Sequence, residues 1–151
     1  NRSIDQTMNI PQLKKQIIAH EGMKLELYKC TAGYWTIGVG RNLSSRGISV
    51  ETAVDMLDED IEICISELDK VFPWWRKGND ARQHALIDLH FNLGVNTLLS
   101  FKKTMSLWEE AVHGRVNWSQ VADELLNSKY AKQLPNRSKT IATMIETGEL
   151  Q

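Results

Sequence analysis

Hydrophobic positions along this chain fall at two spacings, and the change from one to the other marks out its parts. Leu13, Ile17 and Ile18 recur at helical spacing behind Pro11 and stop at Gly22, which predicts a short amphipathic helix with Glu21 as its last residue. The pattern then changes. Leu25–Lys29 and Tyr34–Val39 are β-favouring runs on either side of Thr31-Ala32-Gly33, which predicts a hairpin with glycine at its turn. Gly38 and Gly40 bracket Val39 and mark a tight bend or a close backbone approach. Ser49 opens a long helix to about Val71, broken by Phe72-Pro73-Trp74-Trp75. Residues 81–93 are apolar on most sides and read as a buried central helix ended by Gly94. Further helices fit residues 104–113, residues 118–128 behind the cap Asn117, and residues 137–147 behind the cap Asn136 and before Gly148.

The sum is an α+β fold, mainly helical. A small hairpin lobe over about residues 21–49 is joined by a helix over about 50–71 to a helical lobe over about 72–151, which also takes in the N-terminal helix. Residues 8–151 make a single domain of a size that buries a full core. Residues 1–7 carry no periodic pattern and are expected to be a processed or added tail, disordered, with Met8 as the natural start.

Composition alters this picture little. Apolar residues at 42%, charged residues at 25% and a net charge of −1 are ordinary, and give no general attraction to nucleic acid or to an anionic membrane. No apolar run near the N-terminus exceeds Ile17-Ile18-Ala19, so neither a secretory signal nor a membrane anchor is expected. Charge is uneven, however: residues 51–70 hold eight acids against one base, a solvated helix face, while residues 1–50 hold seven bases against three acids. That basic part is suited to an anionic polymer. Cys30 and Cys64 form no metal-ligand spacing, and nothing supports a disulfide between them; Cys64 lies on the stripe Leu57, Ile61, Cys64, Leu68, Val71 and reads as a small core residue. The histidines at 20, 84, 90 and 113 are also without metal spacing, His84 and His113 being read as surface residues. Trp35, Trp74, Trp75, Trp108 and Trp118 are expected in the core or between lobes.

The candidate chemistry sits around the hairpin. Eight residues separate Glu21 from Cys30 and five separate Cys30 from Thr36, which sets an acid at a helix end opposite a thiol and a hydroxyl. A carboxyl that keeps its proton through partial burial can act as a general acid. Alone, Glu21 would be an ordinary surface residue. A thiol at position 30 has three roles open to it: nucleophile, general base on water, or a packed group that shapes the site. Lys24 and Lys29 are close in sequence, but alternation turns Lys29 to the other face of the strand. Thr36 is either a simple β-former or the group that holds a water beside Cys30.

Five runs occur in one order: Glu-Gly-x-Lys-Leu-x-x-Tyr-Lys at 21–29, Gly-Tyr-Trp-Thr-Ile-Gly-x-Gly at 33–40, Ala-Leu-Ile at 85–87, Phe-Asn-Leu-Gly at 91–94 and Leu-Pro-Asn-Arg-Ser-Lys at 134–139. Together they resemble the phage-type lysozymes of the T-even kind, over most of the chain beyond Met8. The resemblance implies a lysozyme-like fold and a muramidase that cuts between N-acetylmuramic acid and N-acetylglucosamine, with no cofactor and no metal. It makes Glu21 the proton donor, sets Cys30 where most members carry a water-activating Asp, and gives Thr36 a part in holding the water. Phe91 and Thr104 fall at groove positions, the latter where Ser is familiar, and Arg137 falls where an Arg pairs with the catalytic Glu. It further implies a monomeric endolysin whose partner is the glycan strand, with no nucleic acid and no stable membrane association. Such an enzyme accumulates in the host cytoplasm and acts on the periplasmic wall once a membrane is permeabilised. Two departures stand out: Arg41-Asn42 where a His-Leu pair is common, and a short stretch from there to the long helix. Replacement of Asp by Cys keeps a lytic transglycosylase using Glu21 alone in view, and from another class a catalytically silent glycan-binding domain.

Overall fold

Helix and strand boundaries follow from capping groups that can be named one by one. The computed structural model describes residues 7–151, so the tail expected over residues 1–7 lies outside the described residues except for Thr7. Helix α1, Ile10–Glu21, begins where the Asn9 side chain accepts the Gln12 N–H at 3.1 Å, with Pro11 in the first turn. It stops at Gly22, whose φ of 77° suits only glycine and whose N–H returns to the Ile18 carbonyl at 2.7 Å. Strands β1 (Lys24–Lys29), β2 (Trp35–Gly38) and β3 (Arg41–Asn42) form an antiparallel sheet in that order. Tyr28 pairs with Thr36, Lys29 with Trp35 and Lys24 with Gly38, and the register shifts between Lys24 and Tyr28.

The sequence pattern did not foretell β3 or the one-turn helix α2, Leu43–Arg46, that follows it. Arg41-Asn42, the departure noted above, builds both. Asn42 accepts the Ser45 N–H at 3.1 Å and so caps α2, while the Arg41 guanidinium donates to the Gly47 carbonyl at 3.4 Å. Ser44 in turn accepts the Trp35 N–H at 2.9 Å, which fastens the turn of helix to the sheet.

Helix α3, Val50–Val71, starts as expected at Ser49, whose hydroxyl accepts the Thr52 N–H at 3.0 Å. By internal contacts the chain divides within this helix, into one compact unit ending at Val54 and a second beginning at Asp55. Helix α1 groups with the sheet in the first unit, rather than with the helical lobe to which the sequence reading assigned it.

In the second unit Asp69, near the end of α3, accepts from the Trp75 indole at 2.7 Å and from Arg76 at 2.8 and 2.9 Å, fixing the turn that Pro73 enforces. A 3-10 turn over Trp75–Lys77 leads to α4 (Asp80–Leu93), α5 (Val95–Ser100), α6 (Lys102–Val112), α7 (Trp118–Leu126), α8 (Lys129–Gln133) and α9 (Pro135–Thr147). Leu68, Leu86, Leu89, Leu98 and Leu125 are wholly buried with Trp108, Ile141 and Ile145. Each such leucine contributes about 1.5–3 kcal/mol through burial. Cys64 is buried and free, as the stripe on α3 required.

Three expectations need correction. Helix α9 starts at Pro135, two residues early, because proline at the first helical position sets φ without losing a hydrogen bond; Asn136 therefore lies inside the first turn and does not cap it. Helices α5 and α8 were not expected at all. Trp74, Trp75 and Trp108 are buried and Trp118 packs edge-on against Trp108 at 6.4 Å, but Trp35 is 46% exposed and is not a core residue. Strand alternation is the cause: Thr36 turns inward, so Trp35 turns outward with Lys29, whose ammonium lies 4.9 Å from its ring.

Candidate functional site

Glu21, Cys30 and Thr36 all belong to the first unit, and the local folding that places each can be traced. Gly22 ends α1, so Glu21 is its last residue and projects from the C-terminal end, where the helix dipole gives a carboxylate no support. Its carboxyl lies over the β2–β3 turn, against the backbone of Gly40. Glu21 is exposed, not partly buried as the sequence reading required of an acid.

Cys30 directly follows β1 and begins the turn. Its own N–H donates to the Tyr34 carbonyl at 2.9 Å, and its carbonyl accepts the Gly33 N–H at 2.8 Å. Gly33 makes this closure possible, since φ there is +84°. Hydrogen bonding from the backbone of Tyr34, Ala32 and Gly33 and from the Thr36 hydroxyl favours the charged sulfur and holds the thiol below its ordinary pKa against an opposing desolvation. Tyr34 contributes most.

Thr36 is buried on β2, and its hydroxyl donates to the Tyr34 carbonyl at 2.9 Å. That hydroxyl has a single proton, so it cannot serve Tyr34 and Cys30 together. The bond to Tyr34 is the one formed here. A cation was the helper sought from sequence, and Lys29 is indeed turned away toward Trp35. The backbone's contribution was missed. Its signal was the Thr31-Ala32-Gly33 turn directly after the cysteine, a segment that can present successive N–H groups to one point.

The second unit holds a groove of about 380 Å³ lined by Leu57, Ile61, His84, Ile87, Asp88, Phe91 and Arg137. It brings together two of the three residues expected to bind substrate. Phe91 is 46% exposed and offers an open ring face. Arg137 forms an ion pair with Asp88, with Nη2 at 2.7 Å and Nε at 2.8 Å from Oδ1. Thr104 does not line the groove: it is 4% exposed, because the spacing of Thr104, Met105, Trp108 and Ala111 sets it on the core face of α6. Among the described residues no group of histidine, cysteine and carboxylate side chains is arranged to hold a metal ion.

Comparison with known proteins identifies the family. A model of the phage lysozyme family matches residues 18–143, a span that contains Glu21, Cys30, Thr36, Phe91 and Arg137. "Probable T4-type lysozyme 1" and "Probable T4-type lysozyme 2" of Dictyostelium discoideum are each 28% identical; the first match covers 93% of this chain and 97% of the relative, the second 94% and 98%. "Pre-baseplate central spike protein Gp5" of Enterobacteria phage T4 is 23% identical over 87% of this chain, which spans 27% of that longer protein. The chain belongs to the phage lysozyme family, and is a lysozyme-type glycoside hydrolase that acts on peptidoglycan.

Proposed function

We propose that the protein hydrolyses the β-1,4 bond between N-acetylmuramic acid and N-acetylglucosamine, with Glu21 as general acid, Cys30 as the group that handles the nucleophile, and Thr36 as its support. The observation that carries this reading is the setting of Cys30: it opens a turn closed by its own N–H to the Tyr34 carbonyl and by the Gly33 N–H to its carbonyl, it shares the hairpin with the buried Thr36, and its thiol is held below its ordinary pKa, chiefly by the Tyr34 backbone. A lowered thiol favours the thiolate, the form that can replace a carboxylate.

The chemistry balances by either of two routes. Glu21 gives its proton to the leaving glycosidic oxygen in both. In one, the thiolate takes a proton from a water whose oxygen bonds the anomeric carbon. In the other, sulfur bonds that carbon directly, and water releases the sugar in a second step while Glu21 recovers its proton. Phe91 offers a ring for the apolar face of a sugar, and the Asp88–Arg137 pair supplies polar groups at the edge of the same groove. The proposal includes an endolysin that works as a monomer on glycan strands, accumulates in the host cytoplasm and reaches the wall through a permeabilised membrane. No helix among the described residues is long and apolar enough to cross a membrane.

Mass analysis of peptidoglycan digested by the pure protein tests the reading. Fragments with reducing ends are expected. Fragments with 1,6-anhydro ends would mean transglycosylation by Glu21 alone, and intact glycan would mean a binding domain.

A further inference from the structure

We propose that Gly40 is a positioning residue for Glu21, its lack of a side chain being what lets the carboxyl rest at its working place. This rests on Glu21 as the general acid. A Cβ at position 40 would stand 2.8 Å from Glu21 Oε2, 3.2 Å from Cδ and 3.5 Å from Cγ. The three nearest atoms all belong to this one side chain. Contacts of that kind are relieved at low cost to the fold, because the far end of a flexible glutamate can swing away. The acid's position is what suffers, and displacing a catalytic group by about 1 Å can cost on the order of a hundredfold in rate.

Backbone conformation is a separate demand, and the chain supplies a control for it. Gly40 has φ +64°, so any other residue there meets left-handed strain as well. Gly47, at the end of α2, has nearly the same φ of +60°, but a Cβ there would meet nothing within 4 Å. Gly47→Ala therefore carries the strain without the contact. Gly40→Asn carries the contact with less strain, since asparagine tolerates this region best among residues with a Cβ.

The test combines these with Glu21→Asp, whose carboxyl is withdrawn by one methylene. Thermal melts and peptidoglycan-clearing kinetics would be measured for each single variant and each pair. Gly40→Ala and Gly40→Asn are expected to lower kcat about ten- to a hundredfold, with little change in KM. Gly47→Ala should lose melting temperature to a similar extent as Gly40→Ala and keep its kcat. In a double-mutant cycle, Glu21→Asp and Gly40→Ala should be non-multiplicative, the second change costing less than it does alone, while Glu21→Asp and Gly47→Ala should multiply. Gly40 variants that keep parental kcat, or that multiply with Glu21→Asp, overturn the proposal. Glu21→Gln separates the two layers. If it retains parental activity, the general-acid reading falls; if it is inactive while Gly40→Ala behaves as Gly47→Ala does, only the positioning role is lost.

Discussion

Replacing Cys30 by Asp should leave an active enzyme whose pH–activity profile has lost its alkaline side, and the size of the change follows from where the last proton of the pair resides. The proposed reaction needs a protonated acid and an ionised residue 30. A free thiol titrates at about 8.5 and a free carboxyl at about 4.3, so an acid–thiol pair spends the neutral range in the opposite arrangement. With ordinary groups the productive arrangement is about one part in 10,000, and each unit by which the sulfur is lowered multiplies that share by about ten. This is what the N–H groups of Tyr34, Ala32 and Gly33 and the Thr36 hydroxyl accomplish. The rate follows the singly protonated pair. It persists until the last proton leaves at the pKa of the sulfur, which lies below that of an ordinary thiol, and falls above it. In Cys30→Asp the last proton leaves within the carboxylate range, so the basic limb should move several units toward acid. Initial rates of peptidoglycan clearing from about pH 3 to about pH 10, at fixed ionic strength, would show it. Cys30→Ala should lose on the order of a hundred- to ten-thousandfold. An alanine variant with full activity, or an aspartate variant whose profile overlays the parent's, would refute the role of the thiol.

Other outcomes follow from the same structure. Iodoacetamide should inactivate the parent through Cys30, which is partly exposed and lowered, and spare Cys30→Asp, because Cys64 is buried and raised by burial, with Glu67 and Asp60 adding to the effect; mass mapping that finds Cys64 alkylated first would contradict this. Arg137→Ala removes a solvent-exposed ion pair with Asp88, worth at most about 1 kcal/mol, so the melting temperature should change little. If Arg137 tunes Glu21, the acidic limb of the profile should shift in that variant, and an unmoved limb would leave it as a surface base. Asp69 is held down at about 2, first by its hydrogen bond from Arg76 and then by that from Trp75. A lowered carboxylate contributes stability above the ordinary carboxylate pKa and loses it as the pH falls through the lowered value. Asp69→Asn should therefore flatten the fall in melting temperature between about pH 4 and about pH 2. An unchanged slope would place the acid sensitivity elsewhere.

What could be read from the sequence was whatever repeats over several turns or sits at a chain end. Ser49 announced α3 by a cap, Gly22 and Gly94 announced the ends of α1 and α4, and Cys64 fell on the buried stripe. Elements of two to six residues, β3, α2, α5 and α8, escaped because they are shorter than any window in which a period can be seen. Pro135 and Asn136 offered competing starts for α9, and the rigid proline ring prevailed over a side-chain cap. Candidate residues Glu21, Cys30 and Thr36 were visible as types at a spacing. Their settings were not, since the lowering of the thiol depends on the backbone of the turn, and the meeting of Glu21 with Gly40 joins residues distant in the sequence.

The groups that lower the Cys30 thiol are dipoles of the turn and the Thr36 hydroxyl on β2, and none of them carries a charge. Ionic strength weakens attraction between exposed charges over a distance of about 8 Å at physiological salt, yet has little hold on a hydrogen bond made at contact. A thiolate sustained by a neighbouring lysine would change its titration with the salt around it. Here the lowering comes chiefly from the main chain of the turn, Tyr34 first, with the Thr36 hydroxyl beside it. Lys24, Glu26 and Lys29, all exposed on β1, are thereby free to be exchanged, for solubility or for a different wall polymer, without retuning the reactive atom.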